Sequence, residues 1–244
     1  MSVRITTAVT RRVLDQLRHD PRTIALILAV PCVLQLLLQQ LFGRHSAVFQ
    51  EVGTPLLGLF PFITMFLVTS ITMLRERTSG TLERLMTMPL HKVDLLAGYA
   101  VAFALLAVVQ ALLVSLLAFG VLGLEVAGPK WLVVALAVAN AVLGSTLGLF
   151  VSAFAQTEFQ AVQFMPAFVL PQILLCGLFV PREEMAGWLR AISYALPLTY
   201  AYDALARTAS DQLDARFALD VAVVGGCIVL AVVLGAATLR RRTD

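Results

Sequence analysis

Three histidines, three cysteines and two lysines are the side chains in this sequence best suited to metal, nucleophilic or phosphate chemistry, and their spacing assembles none of it. His19, His45 and His91 stand apart, without an HExxH pair or partnered carboxylates, so neither a zinc centre nor a Ser–His hydrolytic site has its parts. Cys32, Cys176 and Cys227 sit singly in apolar runs with no CxxC or Cys/His spacing, which reads as packing rather than metal or disulfide chemistry. Lys92 follows His91 and Lys130 follows Pro129, so no Gly-Lys-Ser/Thr occurs and ATP cannot be bound by a P-loop. No catalytic, metal-ligating or cofactor-binding residue is expected in this chain.

The remaining polar groups in apolar surroundings are neutral: Gln35, Gln39, Gln110, Asn140, Gln163 and Gln172. Their default role is hydrogen bonding between helices, and the alternative is to line a path for a substrate. Proton- or sodium-driven transport needs ionisable groups within the membrane. None is read in the interiors of the apolar runs.

Charge instead concentrates in RERTSGTLERLMTMPLHK, residues 75–92, between two apolar runs. Arg75-Glu76-Arg77 reads as a set of water-interface charges closing the first run. Ser79-Gly80 breaks the helix, because glycine tolerates the left-handed backbone that commonly ends one. Thr81 is suited to cap a new helix. On it Leu82, Leu85 and Met86 share a face, with Glu83, Arg84 and Thr87 beside them. Pro89 stops it. The expected product is a short amphipathic helix shaped to dock in a groove of a partner. The bland alternative is a solvated loop whose arginines only enforce topology.

The elements that must hold this island follow from composition. Charged residues make up 14% of the chain against about 25% in soluble domains, and the mean hydropathy is +0.89. That balance marks an all-α membrane protein. Six apolar segments, roughly 23–42, 54–74, 95–122, 131–155, 161–180 and 218–239, are each long enough to cross about 30 Å of hydrocarbon. The fourth and fifth are separated by residues 156–160, which predicts a tight helical hairpin. Twelve of the eighteen Lys and Arg residues fall in the N-tail, the 75–92 island and the C-tail. The positive-inside rule therefore makes these cytoplasmic, and the net charge of +3 is a matter of topology rather than of nucleic-acid binding. Ile5, Val9, Val13 and Leu17 recur every fourth residue ahead of the first span, as in an amphipathic helix lying in the headgroup plane; the alternative is a plain basic anchor that only sets topology. The polar start does not read as a cleavable signal peptide. On the opposite side, 181–217 carries Trp188, Tyr194, Tyr200 and Tyr202, with Pro197 separating two short interfacial or re-entrant helices. Gly144 and Gly148, three residues between them, would let another helix approach closely.

The string Glu76-x-x-x-Gly80-Thr81-x-Glu83-x-Leu85-x-x-x-Pro89, followed by Gly98, resembles the signature of type-2 ABC transporter permeases, most of all the daunorubicin-type drug-resistance exporter subunits. A second block, Gly177-Leu-Phe-Val-Pro181 with Trp188, Ile192, Leu196-Pro197, Tyr200 and Asp203, resembles the family's stretch between its fifth and sixth spans. The chain departs at Gly98-Tyr99, where family members often have Gly-Lys, and at Ala186-Gly187, where a proline is common.

The resemblance implies one transmembrane domain over 1–244. Residues 1–22 are its interface helix (Arg11, Arg12, Leu14, Leu17), 75–93 its coupling segment (Glu76, Gly80, Thr81, Leu82, Glu83, Arg84, Leu85, Met86, Pro89) and 181–217 its outer connection. Gly177, Phe179, Pro181, Trp188, Pro197 and Tyr200 match the outer gate. It further implies two ABC ATP-binding partner subunits carrying ATP and magnesium, and a second permease subunit, identical or paralogous. The expected function is ATP-driven export of an amphiphilic drug, antibiotic or lipid across the cytoplasmic membrane. The alternatives are export of a lipid-linked polysaccharide, or, from another class, a membrane scaffold or enzyme.

Overall fold

Cap chemistry sets the first two helices of the computed structural model, which describes residues 3–43, 46–81 and 92–238. Helix α1 (Val3–Arg18) turns Val9, Val13 and Leu17 onto one buried face, as its four-residue apolar repeat requires. Asp20 ends the turn that follows and caps α2 (Pro21–Phe42), accepting from the Thr23 amide at 3.2 Å and the Thr23 hydroxyl at 2.6 Å. Those two bonds hold its carboxyl below the usual range. Pro21 takes the first turn, where a missing N–H costs nothing.

Ser46 caps α3 (Ala47–Thr78) through the Phe49 amide at 3.1 Å. Its 32 residues extend about 48 Å at about 1.5 Å each, longer than a bilayer core of about 30 Å, so the helix projects beyond it. Ser79 and then Gly80 end it, Gly80 with the left-handed φ of +71°. Helix α4 (Lys92–Gly120) and α5 (Lys130–Val151) follow, the latter closing in a short 3-10 turn at Ser152–Phe154. Thr157 caps α6 (Glu158–Leu175) by accepting from the Gln160 amide at 3.2 Å. The expected tight hairpin with α5 does not form, because α6 packs along α3 instead. After Gly177 (φ +104°) come α7 (Gly187–Ser193), α8 (Pro197–Ala209) and α9 (Ala215–Thr238). Pro197 does divide two short helices.

Among the described residues the long elements are all helical, and five of them are long and apolar enough to cross a membrane: α2, α3, α4, α5 and α9. Helix α6 is not in that set. Its 18 residues carry Glu158, three glutamines and Pro166 and Pro171, which dilute its hydropathy.

Helices α3 and α5 form the buried centre, and α2 and α9 keep most of their surface outside it. The centre closes tightly because Gly144 and Gly148 of α5 meet the Phe62 and Phe66 carbonyls of α3, leaving no room for a Cβ at either position. The Gly-x-x-x-Gly pattern thus serves packing within this chain. Helix α2 depends on its neighbours in another way. Pro31 cannot bond the Ile27 carbonyl one turn earlier, and Gln110 of α4 donates to that carbonyl instead, at 2.6 Å. In hydrocarbon such a backbone group has no water to turn to.

Candidate functional site

At the end of the bundle where α3 stops, α1 lies against α4, touches α2 and reaches the last turn of α3. Thr10 donates its hydroxyl to the Gly98 carbonyl at 3.1 Å. A Cβ on Gly98 would sit 2.6 Å from the Val9 side chain, so the glycine is what lets α1 settle onto α4. Val9, Val13 and Leu17 then join Leu95, Leu96, Tyr99 and Phe103 in one apolar cluster. Leu14 packs at its edge, while Arg11 faces solvent, 4.0 Å from Asp15.

Arg12 and Glu76, expected in separate elements of the site, meet here. Arg12 Nη2 donates to both oxygens of the Glu76 carboxylate, at 3.1 and 3.4 Å. The sequence reading of Glu76 as a water-interface charge is corrected: its side chain is 3% exposed. Helix α1 and the fully buried Tyr99 cover it, and the guanidinium supplies the charge compensation such burial needs. Arg75, one residue earlier, points outward and grips Glu158 of α6 through Nε and Nη2 at 2.8 and 3.1 Å. The last turn of α3 is therefore tied to α1 on one side and to α6 on the other.

Gly80 provides the break beyond that turn, and the Thr81 and Ser79 hydroxyls lie 2.9 Å apart. Leu82, Glu83, Arg84, Leu85, Met86 and Pro89 fall outside the described residues. Of the two helices that frame them, α1 packs on α4 and reaches α3 through the Arg12–Glu76 pair.

At the opposite end, Gly177 turns the chain out of α6 against the Tyr202 ring. Phe179, Pro181 and Trp188 are exposed, while Pro197 and Tyr200 are half-buried. The Tyr200 hydroxyl donates to the Tyr194 carbonyl at 2.8 Å, and Thr199 donates to the Ser193 carbonyl at 2.8 Å, which locks α8 onto α7. Arg182 pairs with Asp203, and Arg207 reaches Asp214 at 3.2 Å and Asp220 at 3.4 Å. This corrects the reading that the apolar runs hold no ionisable group. Asp220 lies inside α9 and is buried, with Arg207 brought to it by α8. An acid two residues into an apolar run is itself the signal that could have found this pair.

The six neutral polar residues do not gather in one place. Gln35 donates to the Gly53 carbonyl at 3.0 Å, joining α2 to α3. Gln110 joins α4 to α2 and, through the Thr64 hydroxyl at 2.6 Å, to α3. Asn140 is buried against Gly58, Gln172 bonds within its own helix at 3.0 Å, Gln39 is half-buried and Gln163 is exposed. Hydrogen bonding between helices accounts for Gln35 and Gln110.

A family model described as "ABC-2 type transporter" matches residues 4–208. The chain is 30% identical to a probable multidrug ABC transporter permease, YbhR, of Escherichia coli K12 over 148 residues, which is 61% of this chain and 40% of that protein. It is 25% identical to ABC transporter G family member 20 of Dictyostelium discoideum over 165 residues, 67% of this chain and 23% of that one. A third relative, the inner membrane transport permease YhhJ of Escherichia coli K12, is 30% identical over 142 residues, 57% of this chain and 38% of the relative. Each aligned stretch spans less than half of the relative.

Proposed function

Because this chain belongs to the ABC-2 type transporter family, we propose that it is the membrane-spanning permease subunit of an ATP-driven exporter for an amphiphilic substrate such as a drug, antibiotic or lipid. Two ATP-binding subunits, which hold the ATP and magnesium, dock on its cytoplasmic face, and a second permease completes the pathway. Helix α6 is the sixth crossing, which puts both ends of this chain in the cytoplasm and residues 181–217 outside. The multidrug designation of the Escherichia coli relative favours an amphiphilic cargo over a lipid-linked polysaccharide.

The observation that carries this reading is the Arg12–Glu76 pair. A segment that receives a push from a partner is useful only if its frame is stiff. Here α3 and α4, between which residues 82–91 run, are both bound to α1. Movement imposed on that segment is passed to the long helices and to α1 together. ATP drives the cycle only through a difference in partner affinity between two permease states, and this corner is where that difference is felt. The residues do no bond chemistry of their own.

The test is coupling. Gly80→Pro and Glu83→Arg are expected to abolish substrate-stimulated ATPase activity and export while leaving membrane insertion intact. Gly80 is chosen because its φ of +71° is closed to proline. Normal stimulation and export in both variants would overturn the assignment, as would the absence of any ATPase co-purifying with the chain.

A further inference from the structure

The same end of the bundle holds a cleft of about 380 Å³ between α1, α2 and α3, and its lining is graded. Gln16, Asp20, Thr23, Arg75 and the buried Glu76 line it around the end of α3, Ile27, Val30, Leu67, Val68 and Ile71 line it further along α2 and α3, and the Thr64 and Thr72 hydroxyls interrupt that apolar stretch. Leu26, also in the lining, is 60% exposed. Along α3 the lining runs from Thr64 to Glu76, which at about 1.5 Å per residue is about 18 Å. Half of a bilayer core is about 15 Å. The cleft is therefore about one leaflet deep, with its charged groups where a headgroup would lie and a mostly apolar lining, broken by Thr64 and Thr72, where an acyl chain would.

The charges at the mouth narrow the headgroup. Glu76 is neutralised by Arg12 and buried. Arg75 spends Nε and Nη2 on Glu158 but keeps Nη1, on a side chain 57% exposed. Asp20 accepts from the Thr23 amide and hydroxyl and draws on the Arg22 amide as well; an ionised carboxylate, with about four acceptor sites, keeps room for a further donor. One half-buried acid and one exposed base at a single opening complement a head with both an ammonium and a phosphate. An N–H-bearing ammonium can donate to Asp20; a quaternary one cannot.

We infer that this cleft binds one phospholipid with a primary-amine zwitterionic headgroup, of the phosphatidylethanolamine type, its ammonium on Asp20, its phosphate at Arg75 and one acyl chain along α2 and α3. That the leaflet is the cytoplasmic one rests on the orientation proposed above; the reverse orientation would move the site to the other leaflet without removing it.

The experiment incubates the purified transporter with vesicles of equimolar phosphatidylethanolamine, phosphatidylcholine and phosphatidylglycerol, then identifies the retained lipid by mass spectrometry. The expected order of retention is ethanolamine, then choline, then glycerol. Asp20→Asn keeps the helix cap, since asparagine caps as well as aspartate, so the chain folds. It is expected to lower the ethanolamine preference by about tenfold, the scale of a charge-assisted hydrogen bond. Val68→Phe, which narrows the deep end, lowers retention of all three lipids, whereas Leu116→Phe on the 70% exposed face of α4 leaves retention unchanged. Equal retention of the three headgroups by the unaltered chain, or a preference that survives Asp20→Asn, would overturn the headgroup assignment. Retention untouched by Val68→Phe would overturn the cleft as the site.

Discussion

Glu76 and Glu158 each meet an arginine at close range, yet their ion pairs differ in consequence because their burial differs. The Glu76 side chain is 3% exposed and that of Arg12 34%. Removing Arg12 strands a carboxylate that water cannot reach, and breaking a buried pair in this way costs about 3 kcal/mol. Arg75 and Glu158 are 57% and 55% exposed, and such a pair is worth about 0.5 kcal/mol and weakens with salt. Arg12→Ala is therefore expected to lower the thermal midpoint of the purified protein sharply, and Glu158→Gln barely. Arg12→Met combined with Glu76→Leu should recover most of the loss, because an apolar pair has no charge to strand, while still disturbing coupling if the link between α1 and α3 transmits movement. Equal effects of Arg12→Ala and Glu158→Gln on the midpoint would show that burial does not set the value of these pairs.

At the scale of the elements, α3 and α5 depend on two glycines. A Cβ at Gly144 or Gly148 would collide with backbone carbonyls of α3, which cannot swing aside as a flexible side chain would. Gly144→Ala and Gly148→Ala are each expected to cost about 1–3 kcal/mol, the usual range for forcing volume into a packed interface. Gly226→Ala, with nothing within 4 Å of its Cβ position, should be neutral or slightly stabilising, since alanine is the better helix former. Denaturation midpoints of the three variants decide it, and a loss at Gly226 equal to that at Gly144 would refute the packing argument. The sequence showed that these glycines could admit a helix, because small residues at that spacing leave a flat face. It could not show which helix, since apolar faces of this kind carry no address. The same limit explains Glu76. Its charge reads as a surface group until a helix some sixty residues upstream is known to lie over it. Pro197 was legible because a proline break acts within a turn of itself; the caps at Asp20 and Thr157 act as locally and were not read. The helical class and the α1 stripe were equally legible, being matters of composition and periodicity. Pro31 and Gln110 form a pair that neither local pattern announces, since the carbonyl that one exposes is answered from α4.

For the molecule as a whole, everything about sidedness turns on α6. At 18 residues it is about 27 Å long, just short of a bilayer core of about 30 Å. Pro166 and Pro171 interrupt its backbone bonding, and Gln163 is exposed on its surface. A helix so marginal needs support from neighbours to cross, and the packing of α3 along it and the Arg75–Glu158 pair at its start are what it has. If it crosses, the turn before it and the turn after α8 face opposite compartments. Gln156 and Ser210 are both exposed and lie in those two turns. In a chain whose three cysteines are replaced by alanine, a membrane-impermeant maleimide should label Ser210→Cys in intact cells. It should label Gln156→Cys only after the membrane is opened. Labelling of neither from outside would leave five crossings and place α6 along the inner surface, and labelling of both would do so in an inverted protein. Labelling of Gln156→Cys alone from outside would invert the protein, and with it the face on which an ATP-binding partner can dock. The basic residues of α1 weigh against inversion, because Arg4, Arg11, Arg12 and Arg18 would all have to sit outside, against the positive-inside bias.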